Sequence, residues 1–301
     1  MSEEAANNAA REMKIKENPG RSILELYPGP GQLTRSMALA GAKKVVTLEP
    51  VEVFQESLKS LELASEGRIQ NFQMNPAVHP YDELLEIESK DRGEEGRAFP
   101  GLKPQPWDKV YPDLALVASI PNSLLGEKLI HDILISAIER MGIFQLGRVE
   151  MYMFCSKAAI KRLVAPPGTP SRNRVTIMAE IAAEITPMMA PGLQHFYLPY
   201  DYQLLKLVPH EKPKLDTSFE ILDFCLRSLF TSKAFSLKKN IKLLGPGAEI
   251  LLSRLSFDTD IKVKHMTWEQ FNEIAAKFEQ WPLRPTTLYD DMILHERRGK
   301  R

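Results

Sequence analysis

A turn with two glycines separated by one residue, Tyr27-Pro28-Gly29-Pro30-Gly31, constrains this chain more than any other stretch. It follows the apolar run Ile23-Leu24-Glu25-Leu26 and precedes a segment, 32–41, that reads as a helix. Strand, glycine turn and helix in that order open a doubly wound α/β domain. Glycine at 29 and 31 lets the backbone bend sharply and bring its N–H groups close to a ligand. The next apolar run, Val45-Val46-Thr47-Leu48, ends at Glu49, and a carboxylate at a strand tip can accept hydrogen bonds from a ribose diol. Together these features point to a nucleoside cofactor site of the dinucleotide or S-adenosylmethionine type. Such turns also occur with a purely structural role, and the turn alone does not choose.

The remaining pattern supports an α/β reading. Residues 51–64 carry Val51, Phe54, Leu58 and Leu61 at helical spacing, and 68–73 reads as a third strand. The unbroken apolar run Leu114 to Ala118 suits a central parallel strand covered on both faces. It ends at Ser119-Ile120-Pro121-Asn122, a turn at the strand end where such folds carry their chemistry. Helix 125–141, strand 149–155 and further strands over 175–208 are expected, including the aromatic segment 195–200. Helices are expected at 219–230, 238–244, 247–255 and 267–280. Thr267 with Gln270 gives the last one a capping-box spacing.

This divides the chain into a disordered segment 1–20, an α/β domain 21–207 with an exposed insertion at 82–106, a helical domain 208–285 and a flexible basic tail 286–301. With 44% hydrophobic residues among 301, the chain can bury one large core or two smaller ones. Net charge is zero, so no global field argues for nucleic acid or membrane. No apolar run approaches the roughly 18 residues a membrane span needs. Cys155 and Cys225 lie far apart without metal-ligand spacing, so a reduced compartment without structural zinc is expected.

Local charge is more informative. Lys157, Lys161, Arg162, Arg172 and Arg174 occur with no acid between 157 and 174, around the loop Pro166-Pro167-Gly168-Thr169-Pro170-Ser171. An acid-free run of this kind suits contacts to a phosphate backbone. Lys238 and Lys239 are weaker candidates for the same role, and a solvated helix face is the alternative for all of them.

Taken in order, these segments resemble the ribosomal RNA adenine dimethyltransferase superfamily, and most closely its fungal offshoot, the mitochondrial transcription factor B type of initiation factor. The likeness rests on Leu24-Glu25-Leu26-Tyr27-Pro28-Gly29-Pro30-Gly31-Gln32-Leu33-Thr34 with Glu49, and on 144–174 with its Lys161-Arg162-Leu163-Val164-Ala165-Pro166-Pro167-Gly168 run. It extends to Phe235-Ser236-Leu237-Lys238-Lys239-Asn240 and to Phe278-Glu279-Gln280-Trp281-Pro282-Leu283-Arg284-Pro285. The resemblance implies a Rossmann-like S-adenosylmethionine-dependent methyltransferase fold with a small C-terminal helical domain. Tyr27, Gly29, Gly31, Glu49 and Asn75 would then be cofactor-binding positions, in vestigial form.

The departures matter as much. The superfamily has glycine where Tyr27 stands and an acid near Asn75, and its N-terminal segment is not recognisable in residues 1–20. Its catalytic Asn-Leu-Pro-Tyr motif aligns with Ser119, Ile120, Pro121 and Asn122. Ser119 is shorter than an amide, and Asn122 offers no ring for a flipped base, whose stacking is worth roughly 1–3 kcal/mol. The resemblance therefore implies a fold with its methyl-transfer chemistry lost and no cofactor required. The implied role is a monomeric mitochondrial matrix initiation factor that partners the single-subunit mitochondrial RNA polymerase and helps melt promoter DNA. The alternatives are an active S-adenosylmethionine-dependent rRNA adenine dimethyltransferase and a non-catalytic ribosome-assembly factor that binds rRNA.

Overall fold

Strands β1 (Ser22–Leu26), β2 (Lys44–Leu48), β3 (Ile69–Phe72), β4 (Val110–Ser119), β5 (Arg148–Ser156), β6 (Ala183–Pro187) and β7 (Tyr202–Pro209) form one sheet in the order β3-β2-β1-β4-β5-β7-β6. The computed structural model describes residues 1–78, 98–99, 101–189, 201–212, 214–285 and 288. Strands β1 to β5 run parallel, whereas β7 pairs antiparallel with both β5 and β6. Because β1 lies between β2 and β4, strand order reverses there, and the β1 and β4 carboxyl ends open on one crevice. The burial of every residue in 114–118 is that of a strand covered on both faces.

The chain separates into two compact units, one of Met1–Lys161 with Ala182–Pro213, the other of Arg162–Ile181 with Lys214–Arg301. In the first, α2 (Gln32–Leu39), α3 (Gln55–Ala64) and α4 (Leu124–Glu139) follow β1, β2 and β4. Helix α4 buries Leu129, Ile130, Ile133, Leu134 and Ala137 at helical spacing. Its Gly126 permits an approach no other residue would: an added Cβ would lie 1.8 Å from the Pro121 carbonyl oxygen.

Several expectations are corrected. Residues 1–20 are not a disordered segment: α1 (Glu3–Glu12) is capped by Ser2 and buries Ala5, Ala6, Ala9 and Ala10. Ala5, Ala6, Ala9 and Ala10 recur at helical spacing against Glu4, Asn7, Asn8 and Arg11, an amphipathic pattern that large apolar residues alone do not reveal. Residues 175–208 are not continuous strand, because α6 (Arg174–Ala182) precedes β6. The helical unit also takes in Arg162–Ile181, a stretch that the sequence pattern assigns to the α/β domain. Residues 82–97 and 100 of the expected insertion, the aromatic segment 195–200, and the tail 286–301 apart from 288 lie outside the described residues.

The second unit is built on α7 (Phe219–Phe230) and α9 (Trp268–Glu279), with α8 (Leu237–Asn240) and a 3-10 stretch at Ala248–Arg254. Phe224 meets Phe278 at 5.3 Å between ring centroids, and Phe230 stacks on Phe271 at 5.2 Å. The Thr267–Gln270 capping box is formed. Both cysteines are buried and free. No helix among the described residues is long and apolar enough to cross a membrane.

Candidate cofactor and nucleic-acid sites

In the first unit, the chain leaves β1 through Tyr27 (φ 56), Gly29 (φ 62) and Gly31 (φ 86), all left-handed. A Cβ at Gly31 would also come 2.5 Å from Leu61 Cδ1, so a side chain there would push Leu61 aside. The turn is tied to the end of β2. Glu49 Oε2 accepts the Gly29 N–H at 2.9 Å, and Oε1 accepts the Val51 N–H at 2.9 Å. Glu49 is 2% exposed; burial raises its pKa, and the two N–H donors oppose the rise.

Beneath the turn, Glu25 is 1% exposed, and its pKa is pushed up to about 8 by burial, against a hydrogen bond from Thr34 and with the charge of Glu49 adding to the rise. Thr34 Oγ1 donates to Glu25 Oε2 at 2.6 Å, while Glu25 Oε1 has no hydrogen-bond partner among the described residues. A protonated carboxyl suits such a place, because an unpaired buried charge is costly.

The turn and the end of β4 share one cavity of about 210 Å³, lined by Tyr27, Gly29, Ser119, Pro121, Phe154 and Tyr202 among others. Ile120 also lines it, its backbone N–H bonded to Phe154 O at 3.0 Å and its carbonyl accepting from Tyr202 Oη at 3.1 Å. Gly31, Glu49, Asn75 and Asn122 do not line the cavity. Asn122 is occupied elsewhere, its Oδ1 accepting from Ser156 Oγ at 3.2 Å. Asn75 Oδ1 accepts from Tyr27 Oη at 2.5 Å.

Three lining residues escaped the sequence reading. Phe154 and Tyr202 reach the cavity through the β5–β7 pairing, a long-range antiparallel pairing that periodicity does not reveal. Met1 lines it as well, so the N-terminal segment does border the pocket, contrary to the expectation of an unrecognisable one.

The basic residues do not act alike. Lys157 and Lys161 are exposed on α5 (Lys157–Leu163) in the first unit. Arg172, in the second, is 0% exposed. It donates to both carboxylate oxygens of Glu180, at 2.6 and 3.0 Å, and to the carbonyls of Ala165 and Met266 at 2.8 and 3.1 Å. Its assignment to the phosphate backbone is corrected: the guanidinium is an internal strut. Arg174 is paired with Asp223 at 3.2 Å, and Arg162 is half-buried and also engaged. Lys238 and Lys239 are exposed, with Lys239 Nζ 5.7 Å from the centre of the Phe235 ring.

A parallel sheet that reverses at β1, a glycine turn tied to an acid at the end of β2, and a closing antiparallel strand define a Rossmann-like methyltransferase fold. The solved structures agree. A dimethyladenosine transferase from Plasmodium falciparum superposes with a TM-score of 0.60 at 18% identity, covering 90% of this chain and 95% of that one. The 23S rRNA methyltransferase ErmE gives 0.55 at 17%, covering 90% and 97%. The sequence narrows the class: the chain matches the ribosomal RNA adenine dimethylase family along residues 1–280 and belongs to it. Among its relatives, the mitochondrial dimethyladenosine transferase 1 of Vermamoeba vermiformis is 27% identical over 88% of this chain and 84% of its own length. The mitochondrial dimethyladenosine transferase 1 of Bos taurus is 26% identical over 86% and 74%. These similarities support a mitochondrial location. They favour the dimethyltransferase alternative over the initiation factor placed first on sequence grounds.

Proposed function

We propose that this chain is a mitochondrial S-adenosylmethionine-dependent rRNA adenine dimethyltransferase. The observation that carries the reading is the cavity in which the glycine turn after β1 meets Ser119-Ile120-Pro121 after β4. The relatives named dimethyladenosine transferases support the same activity. The lining suits a nucleoside cofactor through apolar and aromatic contacts from Leu33, Ile120, Phe154 and Tyr202, while the turn's own N–H groups at Tyr27, Gly29 and Gly31 are taken by Leu48 O, Glu49 Oε2 and Pro28 O. When bound, S-adenosylmethionine supplies an electrophilic methyl group on a sulfonium.

The chain's part is to hold the adenine amino group. Ser119 Oγ and the backbone carbonyls of the turn are the acceptors available to its N–H groups, and such hydrogen bonds favour attack through the nitrogen lone pair. Each transfer replaces one N–H by N–CH3 and releases a proton. Phe154 and Tyr202 supply aromatic walls for an unstacked base. The exposure of Lys157 and Lys161 supports contacts from them to the RNA backbone.

One observation favours a second reading. Ser119 stands where the resemblance implies an amide, and Asn122, bonded to Ser156, stands where it implies a ring. A pocket without them would hold an unstacked base without modifying it, as an initiation factor on promoter DNA beside the mitochondrial RNA polymerase would do. Calorimetric titration with S-adenosylmethionine, paired with methyl transfer to small-subunit rRNA, separates the two. Binding with two methyl groups incorporated per target adenine is expected; absent transfer with single-strand DNA binding intact would favour the initiation factor.

A further inference from the structure

The cavity of about 210 Å³ in the first unit is smaller than the roughly 300–1,000 Å³ of pockets that enclose ligands of cofactor size. One wall is Tyr27, which holds a φ of 56 although it carries a Cβ, a conformation that favours glycine. Its ring is fixed from outside the pocket. Tyr27 Oη donates to Asn75 Oδ1 at 2.5 Å, and the same oxygen accepts the Ala77 N–H at 3.1 Å. Only an oxygen can face that N–H, so the amide orientation is determined by the backbone. The carbonyl of Ala77 in turn accepts from Lys128 Nζ at 2.6 Å, and Lys128 is paired one helical turn on with Asp132 at 2.5 Å. Helix α4, which carries Lys128, is itself seated on the Ser119–Asn122 turn through the close approach of Gly126 to Pro121.

We propose that Tyr27 is a gate on this pocket and that Lys128 is the positioning residue that holds it closed. The proposal rests on the reading of the pocket as a cofactor site. Lys128 pins the Ala77 turn, the turn presents Asn75, and Asn75 holds the phenol. When that hydrogen bond breaks, the side chain leaves the wall and the pocket reaches the volume a nucleoside cofactor needs. Closing the gate restores the small cavity, so Tyr27 sets how much of the protein is competent to bind at any moment.

The test is calorimetric titration of the full chain with S-adenosylmethionine, comparing wild type with Tyr27→Phe, Asn75→Ala, Lys128→Met and Lys128→Arg. Loss of a latch hydrogen bond should tighten binding about fivefold or more in the first three, while Lys128→Arg, which keeps a cation on the Ala77 carbonyl, should stay near wild type. Tyrosine-ring carbon labelling gives the second readout: the resonance that vanishes in Tyr27→Phe should move in Lys128→Met and Asn75→Ala but not in Lys128→Arg. Wild-type binding that equals that of Lys128→Met and Asn75→Ala, or a Tyr27 resonance unmoved by either, overturns the gate and leaves the cofactor site standing. Binding by none of the five proteins overturns the cofactor reading, and the gate with it.

Discussion

Arg172 and Glu180 meet in a two-pronged ion pair inside the second unit, Nη1 to Oε1 at 2.6 Å and Nη2 to Oε2 at 3.0 Å. Two further donors of the guanidinium reach the carbonyls of Ala165 and Met266, so one side chain ties together three stretches of chain. Arg172→Ala should therefore cost stability, roughly 3 kcal/mol, the lower end for breaking a buried pair because Glu180 is partly exposed. Urea unfolding measures it. Nucleic-acid affinity per folded molecule should stay unchanged, and a selective loss of affinity at wild-type stability would return Arg172 to the interface.

Lys157 and Lys161 should behave in the opposite way. Both are exposed one helical turn apart on α5. Reversing both to Glu should leave the unfolding midpoint within about 0.5 kcal/mol of wild type. Single-stranded RNA binding should weaken, and its salt slope should fall by about one for each phosphate that is no longer neutralised. Binding measured across a salt series decides this; an unchanged slope removes the pair from the site.

Stability should fall toward alkaline pH because of Glu25. Its folded pKa of about 8 lies above the ordinary 4.5, so the folded state retains a proton that the unfolded chain releases. The stabilisation from the neutral carboxyl is complete below pH 4.5 and is lost as pH rises through about 8. Glu49, also raised by burial, acts in the same sense. Glu25→Gln should flatten the decline, so the variant gains on wild type between about pH 4.5 and pH 8 in denaturant midpoints. Parallel curves for the two proteins would show that Glu25 does not titrate in this window.

Ser119→Asn should raise methyl transfer. The longer amide brings a carbonyl acceptor to the end of β4 without altering the cavity's aromatic walls, and roughly tenfold in kcat is expected, less than the hundredfold of a well-placed oxyanion-hole donor. Single-turnover label transfer to small-subunit rRNA measures it. A rate unchanged from wild type would mean that the hydroxyl of Ser119 and the backbone carbonyls already suffice.

How much of this was legible in the sequence follows from distance along the chain. The β1 turn, the acid at the end of β2 and the apolar β4 were readable because each is a local pattern of glycine or apolar residues. The fate of Arg172 was not, since of its three partners Met266 is 94 residues away and Glu180 sits on a helix whose sequence reads as strand. The same limit hid Tyr202, whose hydroxyl reaches Ile120 across 82 residues. Helix α1 carried a local signal of another kind: four buried alanines share one helical face opposite Glu4, Asn7, Asn8 and Arg11, a period visible only when alanine is counted as apolar. Tyr27 stood out in the sequence as a departure, but its latch to Asn75 needed coordinates.

The interleaving of the two units along the chain has a consequence for synthesis. A nascent chain that has just made β5 cannot close its sheet, because Arg162–Ile181 must emerge before β6 and β7 arrive. That stretch then waits for the last third of the protein, since Arg172 finds the Met266 carbonyl only after α7 has been made. Truncation at residue 161 leaves β5 as a sheet edge, and truncation at 213 leaves a guanidinium suited to burial without one of its acceptors. Each truncation thus exposes an unpaired strand edge or an unmet guanidinium, and ribosome-bound intermediates of this chain should depend on chaperones until α9 is complete.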